Sequence, residues 1–308
     1  MDRDCIVVGG GAAGLSAALV LGRARRRTLV VDAGGQSNRP AEGIGGLLGN
    51  DGRPPAEFYA IGHAELARYP SVEVRSGEVV AAKQEGGGFL VELAGGERQT
   101  SRRLLLATGM DYRRPDVPGI EERWGRSVFH CPFCHGWEVR DRPLGVLDRG
   151  SMGARRALLL KVWSDDVTLY ANGPAGLDEV DARRLAAAGV PVEEREVLEL
   201  RGPGDELEAL VLAGGGERVC RGLMAPVVLH QRNQLAEMLG PALVPPNALT
   251  AGAVAVDAMY RTDVPGLSAA GDVCTQSPSV AEAIAAGQKA AAMLVHGLVA
   301  EDHGLPEH

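Results

Sequence analysis

Aromatic residues make up only 4% of this chain of 308 residues, which argues against a large stacked-ligand site. Cysteine is also scarce, with five in all, and no even, closely spaced set suggests a secreted disulfide scaffold. Acidic residues outnumber Lys and Arg by 40 to 32, a formal charge of -8, and no basic block interrupts the pattern. A polyanion or an anionic bilayer would repel such a chain, so neither nucleic acid nor membrane is expected as a partner. No apolar run is expected to reach membrane-spanning length, and a first strand beginning by about residue 4 leaves no room for a leader. The expected setting is cytoplasmic, where thiols stay reduced unless they are catalytic.

The chain is instead rich in glycine, at 42 residues, with Ala-rich helices and an ordinary 45% of hydrophobic residues. Its length exceeds what one core usually serves, so two domains are expected. Strand and helix signals alternate: a strand at 4–8, a helix at 12–23, a strand at Thr28 to Val31, then a polar loop to about Arg53. Short apolar runs follow at Val72 to Val80, Phe89 to Leu93 and Leu104 to Ala107. A second strand-turn-helix spans Pro143 to Lys161, with a strand at Val167 to Tyr170 and a helix near Asp178 to Ala188. Later, a hairpin-like strand is expected at Val254 to Val256 and an Ala-rich helix from about Val280 to Leu298. The predicted class is α/β, with two Rossmann-like, three-layer nucleotide-binding domains, the second inserted into the first. The first comprises residues 1–115 and 245–308, the second residues 116–244.

Gly9-Gly10-Gly11-Ala12-Ala13-Gly14 follows the first strand and opens the first helix, and Asp32 closes the second strand. A glycine-rich turn alone is weak evidence. In this context it is the dinucleotide fingerprint: Gly9 for the tight turn, Gly11 for backbone approach to a pyrophosphate, Gly14 for close helix packing, and Asp32 for a ribose diol.

Cys131-Pro132-Phe133-Cys134-His135 is the other informative stretch. Two thiols this close can cycle between dithiol and disulfide. A c-type haem site has the same spelling but needs an exported apoprotein. Zinc wants a second ligand pair at a distance, and His130, Cys131, Cys134 and His135 are too crowded to close a tetrahedron. An inert pair is the remaining alternative, and redox chemistry is favoured over all three. Cys5, Cys220 and Cys274 read as buried or incidental thiols.

Tyr260-Arg261-Thr262-Asp263-Val264-Pro265-Gly266-Leu267-Ser268-Ala269-Ala270-Gly271-Asp272 resembles the second FAD motif of the low-molecular-weight thioredoxin reductases, a branch of the FAD-dependent pyridine nucleotide-disulfide oxidoreductases. Thr108-Gly109 resembles their ATG turn, and the resemblance covers nearly the whole chain. It implies FAD contacts at Gly9, Gly11, Ala13, Gly14, Asp32, Ala33, Thr108, Gly109, Gly271, Asp272, Ser279 and Val280, with the helix from Ser279-Val280 facing the flavin's pyrimidine edge. It also implies that Cys134 faces the flavin and forms a thiolate adduct with it, that Cys131 exchanges with substrate, and that the protein is a homodimer.

Two departures from that pattern matter. Family reductases usually place an acid after the second Cys, where this chain has His135. An imidazole can deprotonate an incoming thiol, which suits dithiol oxidation, and His130 is a second candidate base. In the inserted domain, Asp148-Arg149-Gly150-Ser151-Met152-Gly153 puts a carboxylate at the first glycine position, and Tyr170-Ala171-Asn172-Gly173 lacks the His-Arg-Arg type of 2'-phosphate cluster. Arg149, Arg155 and Arg156 read as helix-surface residues. The turn therefore argues against NADPH. Together these features resemble the dithiol oxidases that close the disulfide of gliotoxin and holomycin. The expectation is an FAD enzyme oxidising a small dithiol, with dioxygen as acceptor, hydrogen peroxide as product and no metal. The alternatives are a reductase fed by NADPH or another donor such as ferredoxin, and a non-catalytic flavin redox sensor.

Overall fold

The computed structural model describes residues 1–275 and 277–306. The chain begins with β1 (Arg3–Val8), α1 (Ala12–Arg23), β2 (Thr28–Asp32), α2 (Pro55–Leu66), β3 (Val72–Ser76), β4 (Val79–Glu85), β5 (Gly88–Leu93), β6 (Arg98–Leu106) and β7 (Met110–Arg113). It continues through α3 (Ile120–Arg123), β8 (Val128–Phe129), α4 (Pro132–His135), β9 (Leu144–Leu147), α5 (Gly150–Leu160), β10 (Val167–Tyr170), α6 (Glu179–Ala187), β11 (Val192–Glu193), β12 (Val197–Arg201), β13 (Ala209–Leu212), β14 (Glu217–Val219) and β15 (Gly222–Met224). It closes with β16 (Val228–Gln231), α7 (Leu235–Leu239), β17 (Leu267–Ala269) and α8 (Val280–His303).

Two compact units result. The first gathers Met1–Ser37, Ala56–Tyr112 and the described chain from Val228 onward; the second gathers Asn38–Pro55 and Arg113–Val227. Residues 38–55, although they follow β2 in sequence, thus belong with the second unit.

In the first unit the strand order is β3-β2-β1-β6-β5-β4, with β17 also paired to β6. The strands β1, β2, β3, β6 and β17 run parallel, whereas β4 and β5 join as an antiparallel extension. Parallel strands are covered on both faces, so their residues alternate between two cores rather than between core and water. Cys5, Val7, Val30 and Leu105 face the helices α1 and α8. Ile6, Val8, Leu29, Val31, Leu104 and Leu106 face the opposite side, with Phe89, Val91 and Leu235. The second unit holds a parallel sheet of order β11-β10-β9-β15-β8 and a separate antiparallel sheet β12-β13-β14. Each unit is thus a Rossmann-like α/β arrangement.

Three local expectations are corrected. Pro55–Leu66 is a helix that sequence patterning does not reveal. Val254 makes a single bridge to Leu243 and no strand forms at 254–256. The third concerns α8, whose 24 residues are long and apolar enough, by length and composition, to cross a bilayer. Here its stripe of Ala283, Ala286, Gly287, Ala290, Ala291, Leu294 and Leu298 is buried, which makes it a core helix. A side chain at Gly287 would overlap the Ala13 carbonyl, so glycine lets α8 lie directly on α1.

Candidate functional site

The first set of candidate residues lies at the carboxyl ends of β1, β2, β6 and β17, where open α/β sheets bind ligands. Gly9 has φ +111° and sits beneath the Ala107 carbonyl, so no side chain fits. A Cβ on Gly14 would overlap the Gly9 carbonyl, which is how α1 comes to pack so near β1. Gly11, by contrast, has only Gln36 near its would-be Cβ, at 3.9 Å, and offers the open backbone approach a phosphate needs. Ala12 and Ala13 begin α1 behind it.

Asp32 closes β2 with its carboxylate toward this turn. Its Oδ1 accepts from the Gly34 N–H at 2.9 Å and the Gly10 N–H at 3.2 Å, while Gln36 Nε2 donates to Oδ2 at 3.2 Å. His63 on α2 brings Nε2 to 3.8 Å from Oδ2. Ala33 follows and is exposed. Thr108 and Gly109 leave β6, Gly109 at φ +65°. Gly271 has φ +82° with Ala13 Cβ close by, and Asp272 next to it accepts a 2.8 Å hydrogen bond from Tyr112 Oη. Ser279 caps α8, its Oγ accepting from Glu282 N–H at 3.1 Å, and Val280 is the first helical residue. These residues suit the pyrophosphate and sugar chain of a dinucleotide. Sequence reasoning missed Tyr112, Ser37 and Arg232, because Tyr112 reaches this crevice from the short strand β7 and the other two from loops, with no motif around any of them.

The second set lies in the other unit, around α4. Cys131 is the N-cap and Pro132 the first helical residue, whose fixed φ and missing N–H suit a helix start. Cys131 and Cys134 form a disulfide with Cα atoms 5.4 Å apart. Gly136 packs beneath the Trp163 indole, and Gly45 approaches the Cys134 carbonyl so closely that a Cβ there would lie 2.6 Å from it. Phe133 is 72% exposed, its ring edge-on to Trp163 at 5.5 Å.

His135 stacks on Phe129 at 5.7 Å and places Nε2 3.2 Å from the Gly125 carbonyl. A carbonyl can only accept, so Nε2 carries the hydrogen and Nδ1 of the neutral ring keeps its lone pair. That Nδ1 is buried without a hydrogen-bond partner among the described residues. Burial holds the imidazole below the usual histidine range, outweighing the raising influence of Glu138 and of the Gly125 and Cys131 carbonyls. His130 stacks on Trp124 at 5.8 Å, and burial, reinforced by His135 and Arg156, takes its pKa down to about 4. Both rings are therefore neutral at neutral pH. Cys5, Cys220 and Cys274 are the opposite case, since burial pushes each thiol up to about 12. No cluster of three or more His, Cys, Asp or Glu among the described residues could hold a metal.

The β9–α5 turn keeps the Rossmann backbone: Gly150 has φ +61°, and a Cβ on Gly153 would lie 3.0 Å from the Asp148 backbone. Its charge is reversed. Asp148 Oδ1 accepts from the Arg149 N–H at 2.8 Å, and Oδ2 pairs with the Arg156 guanidinium. Beyond β10, Asn172 turns inward to accept from Val197 N–H at 2.8 Å, and Arg195 forms a forked pair with Glu193.

Comparison with known proteins agrees with this architecture. Thioredoxin reductase tcpT of Claviceps purpurea is 31% identical over 98% of this chain and 96% of its own. An oxidoreductase from Agrobacterium tumefaciens, known from its crystal structure, is 38% identical and superposes with a TM-score of 0.91 over 97% of this chain and 99% of its own. The crystal structure of HlmI is 39% identical, with a TM-score of 0.90 over 98% and 94% of the two chains. A family profile described as pyridine nucleotide-disulphide oxidoreductase matches residues 3–290. A glycine turn of this kind and a disulfide between two close cysteines in a second Rossmann-like unit suit such flavin-dependent enzymes, and this chain belongs to the pyridine nucleotide-disulphide oxidoreductase family.

Proposed function

We propose that the protein is a dithiol oxidase, closing an intramolecular disulfide in a small dithiol at the expense of Cys131–Cys134. The observation that supports this reading best is His135, one residue past the disulfide, with its hydrogen held on Nε2 by Gly125 and Nδ1 left as a base. A thiol must lose its proton before it can attack, so a neutral imidazole beside the disulfide favours oxidation of an incoming dithiol.

His135 takes a proton from one substrate thiol, with His130 as a second candidate base. The thiolate attacks Cys131 Sγ, the Cys131–Cys134 bond breaks and Cys134 leaves as thiolate. The second substrate thiol, once deprotonated, attacks the substrate sulfur of the mixed disulfide and releases Cys131. The substrate has lost two electrons and two protons, and both cysteines are reduced. Bound FAD supplies the two-electron acceptor that restores the disulfide, and dioxygen, as terminal oxidant, ends as hydrogen peroxide. Gly9, Gly11, Ala13, Gly14, Asp32, Ala33, Thr108, Gly109, Gly271, Asp272, Ser279 and Val280 would hold that cofactor. A homodimer and a cytoplasmic setting belong to the same reading.

The reductase reading requires NADPH or another donor. Against NADPH stands Asp148, which already engages the Arg149 N–H and the Arg156 guanidinium that a nucleotide phosphate would want. Anaerobic mixing decides: a small dithiol should bleach the flavin rapidly and NADPH should not. In air the dithiol should drive oxygen uptake and peroxide release, and Cys134→Ser should abolish both. Fast, saturable bleaching by NADPH would instead support the reductase.

A further inference from the structure

The loop after β2 and the strand β7 of the first unit converge on one carboxylate oxygen. Asp272 Oδ2 accepts from Tyr112 Oη at 2.8 Å and from Ser37 Oγ at 3.5 Å. Each donor stands two residues after a carbonyl held by the same guanidinium: Arg232 Nε donates to Met110 O at 2.9 Å, and its terminal nitrogen donates to Gly35 O. Arg232 thus ties the loop after β2 to the segment after β6, and the hydroxyls those segments carry meet at the loop after β17. Among the described residues, Asp272 Oδ1 accepts no hydrogen bond. Burial drives the Tyr112 phenol well above its ordinary range, so it remains a donor at every working pH, and Asp272 reinforces this.

We infer that Tyr112 and Arg232 are positioning residues for the cofactor: together with Ser37 they lock Asp272 so that Oδ1 faces the polyol of a bound flavin dinucleotide. This rests on the FAD reading of the crevice. Locking matters because a carboxylate free to rotate must surrender that freedom when ligand arrives, whereas one already oriented does not. Neither residue lies in a recognisable motif. Both act on the flavin only through Asp272 and the loop geometry.

The test is FAD affinity of the apoprotein, followed by flavin fluorescence. Y112F, which removes one hydroxyl, should bind FAD about tenfold more weakly, the worth of one hydrogen bond to a charged acceptor. Its apoprotein should melt where the wild type does. R232M should weaken binding at least as much, and Y112F should add little on top of R232M, since both release the same clamp. In a D272N background the Tyr112 effect should disappear. Wild-type affinity in Y112F, or an equal loss in the wild-type and D272N backgrounds, would overturn the inference. Failure of the wild-type apoprotein to take up FAD would instead sink the cofactor reading beneath it.

Discussion

His135 directs Nε2 at the Gly125 carbonyl, 3.2 Å away, and so leaves Nδ1 as the only ring nitrogen able to take a proton. Gly125 itself has φ +76°, and a Cβ there would meet Pro40 at 3.0 Å. The orientation of the imidazole therefore depends on a turn that glycine alone closes without strain.

His135→Ala should slow flavin reduction by a small dithiol about a hundredfold at neutral pH, the usual worth of a positioned base. Because burial holds the imidazole below the ordinary histidine value, it is already unprotonated at neutral pH. At alkaline pH the substrate ionises unaided near about 8.5, so the gap between variant and wild type should close there. Stopped-flow rates across this range give the answer. A ratio that does not change with pH would place the base elsewhere.

His130 should make the fold acid-sensitive. Its imidazole titrates near about 4 when folded, against 6.5 for the free side chain, so between those values the unfolded chain binds a proton that the folded chain refuses. Stability should fall as pH drops through that window, by about 3 kcal/mol once both values are passed. His130→Gln should flatten that part of the curve in denaturant titrations at stepped pH. An unaltered slope would show that other groups dominate.

Gly14→Ala should be poorly tolerated. Its methyl would overlap the Gly9 carbonyl, forcing α1 away from β1 at a cost of about 3 kcal/mol. Purified protein should show both a lower unfolding midpoint and little bound flavin. Gly11→Ala, which meets only Gln36 at 3.9 Å, should fold normally. Equal destabilisation by the two substitutions would contradict the packing argument.

Asp148→Gly should free Arg156 and remove the carboxylate from the second turn, raising NADPH affinity at least about tenfold. Isothermal titration of both proteins would read this directly. Wild-type protein already binding NADPH as tightly as the variant would show that Asp148 excludes nothing.

Much of the fold is legible in the residues because its signals are local. The run from Cys5 to Arg23 is read correctly as strand, glycine turn and helix, since periodicity switches from two to 3.6 across the turn. The start of α8 is marked by Ser279, whose Oγ caps the helix by accepting from the Glu282 N–H. Pro55–Leu66 was not legible: its apolar residues mark no clear face, and only packing of Tyr59 and Leu66 into the core beside α1 makes it a helix. Val254 misled in the other direction, because an apolar run flanked by glycine reads as strand whether or not a neighbour exists to pair with it.

By itself the amino-acid order determined which chemistry is present: a dinucleotide turn, a close thiol pair, a histidine where an acid is customary and an aspartate where a glycine is customary. Those are matters of residue type at short spacing, and short spacing survives without knowledge of the fold. Only the tertiary structure decided which nitrogen of His135 keeps its lone pair, that Arg156 pairs with Asp148, and that Tyr112, Ser37 and Arg232 converge around Asp272. Each depends on partners brought together from 8 to 235 residues apart. Partners at such separations leave no periodic trace in the chain, because it is tertiary packing, and no local preference, that brings their segments together.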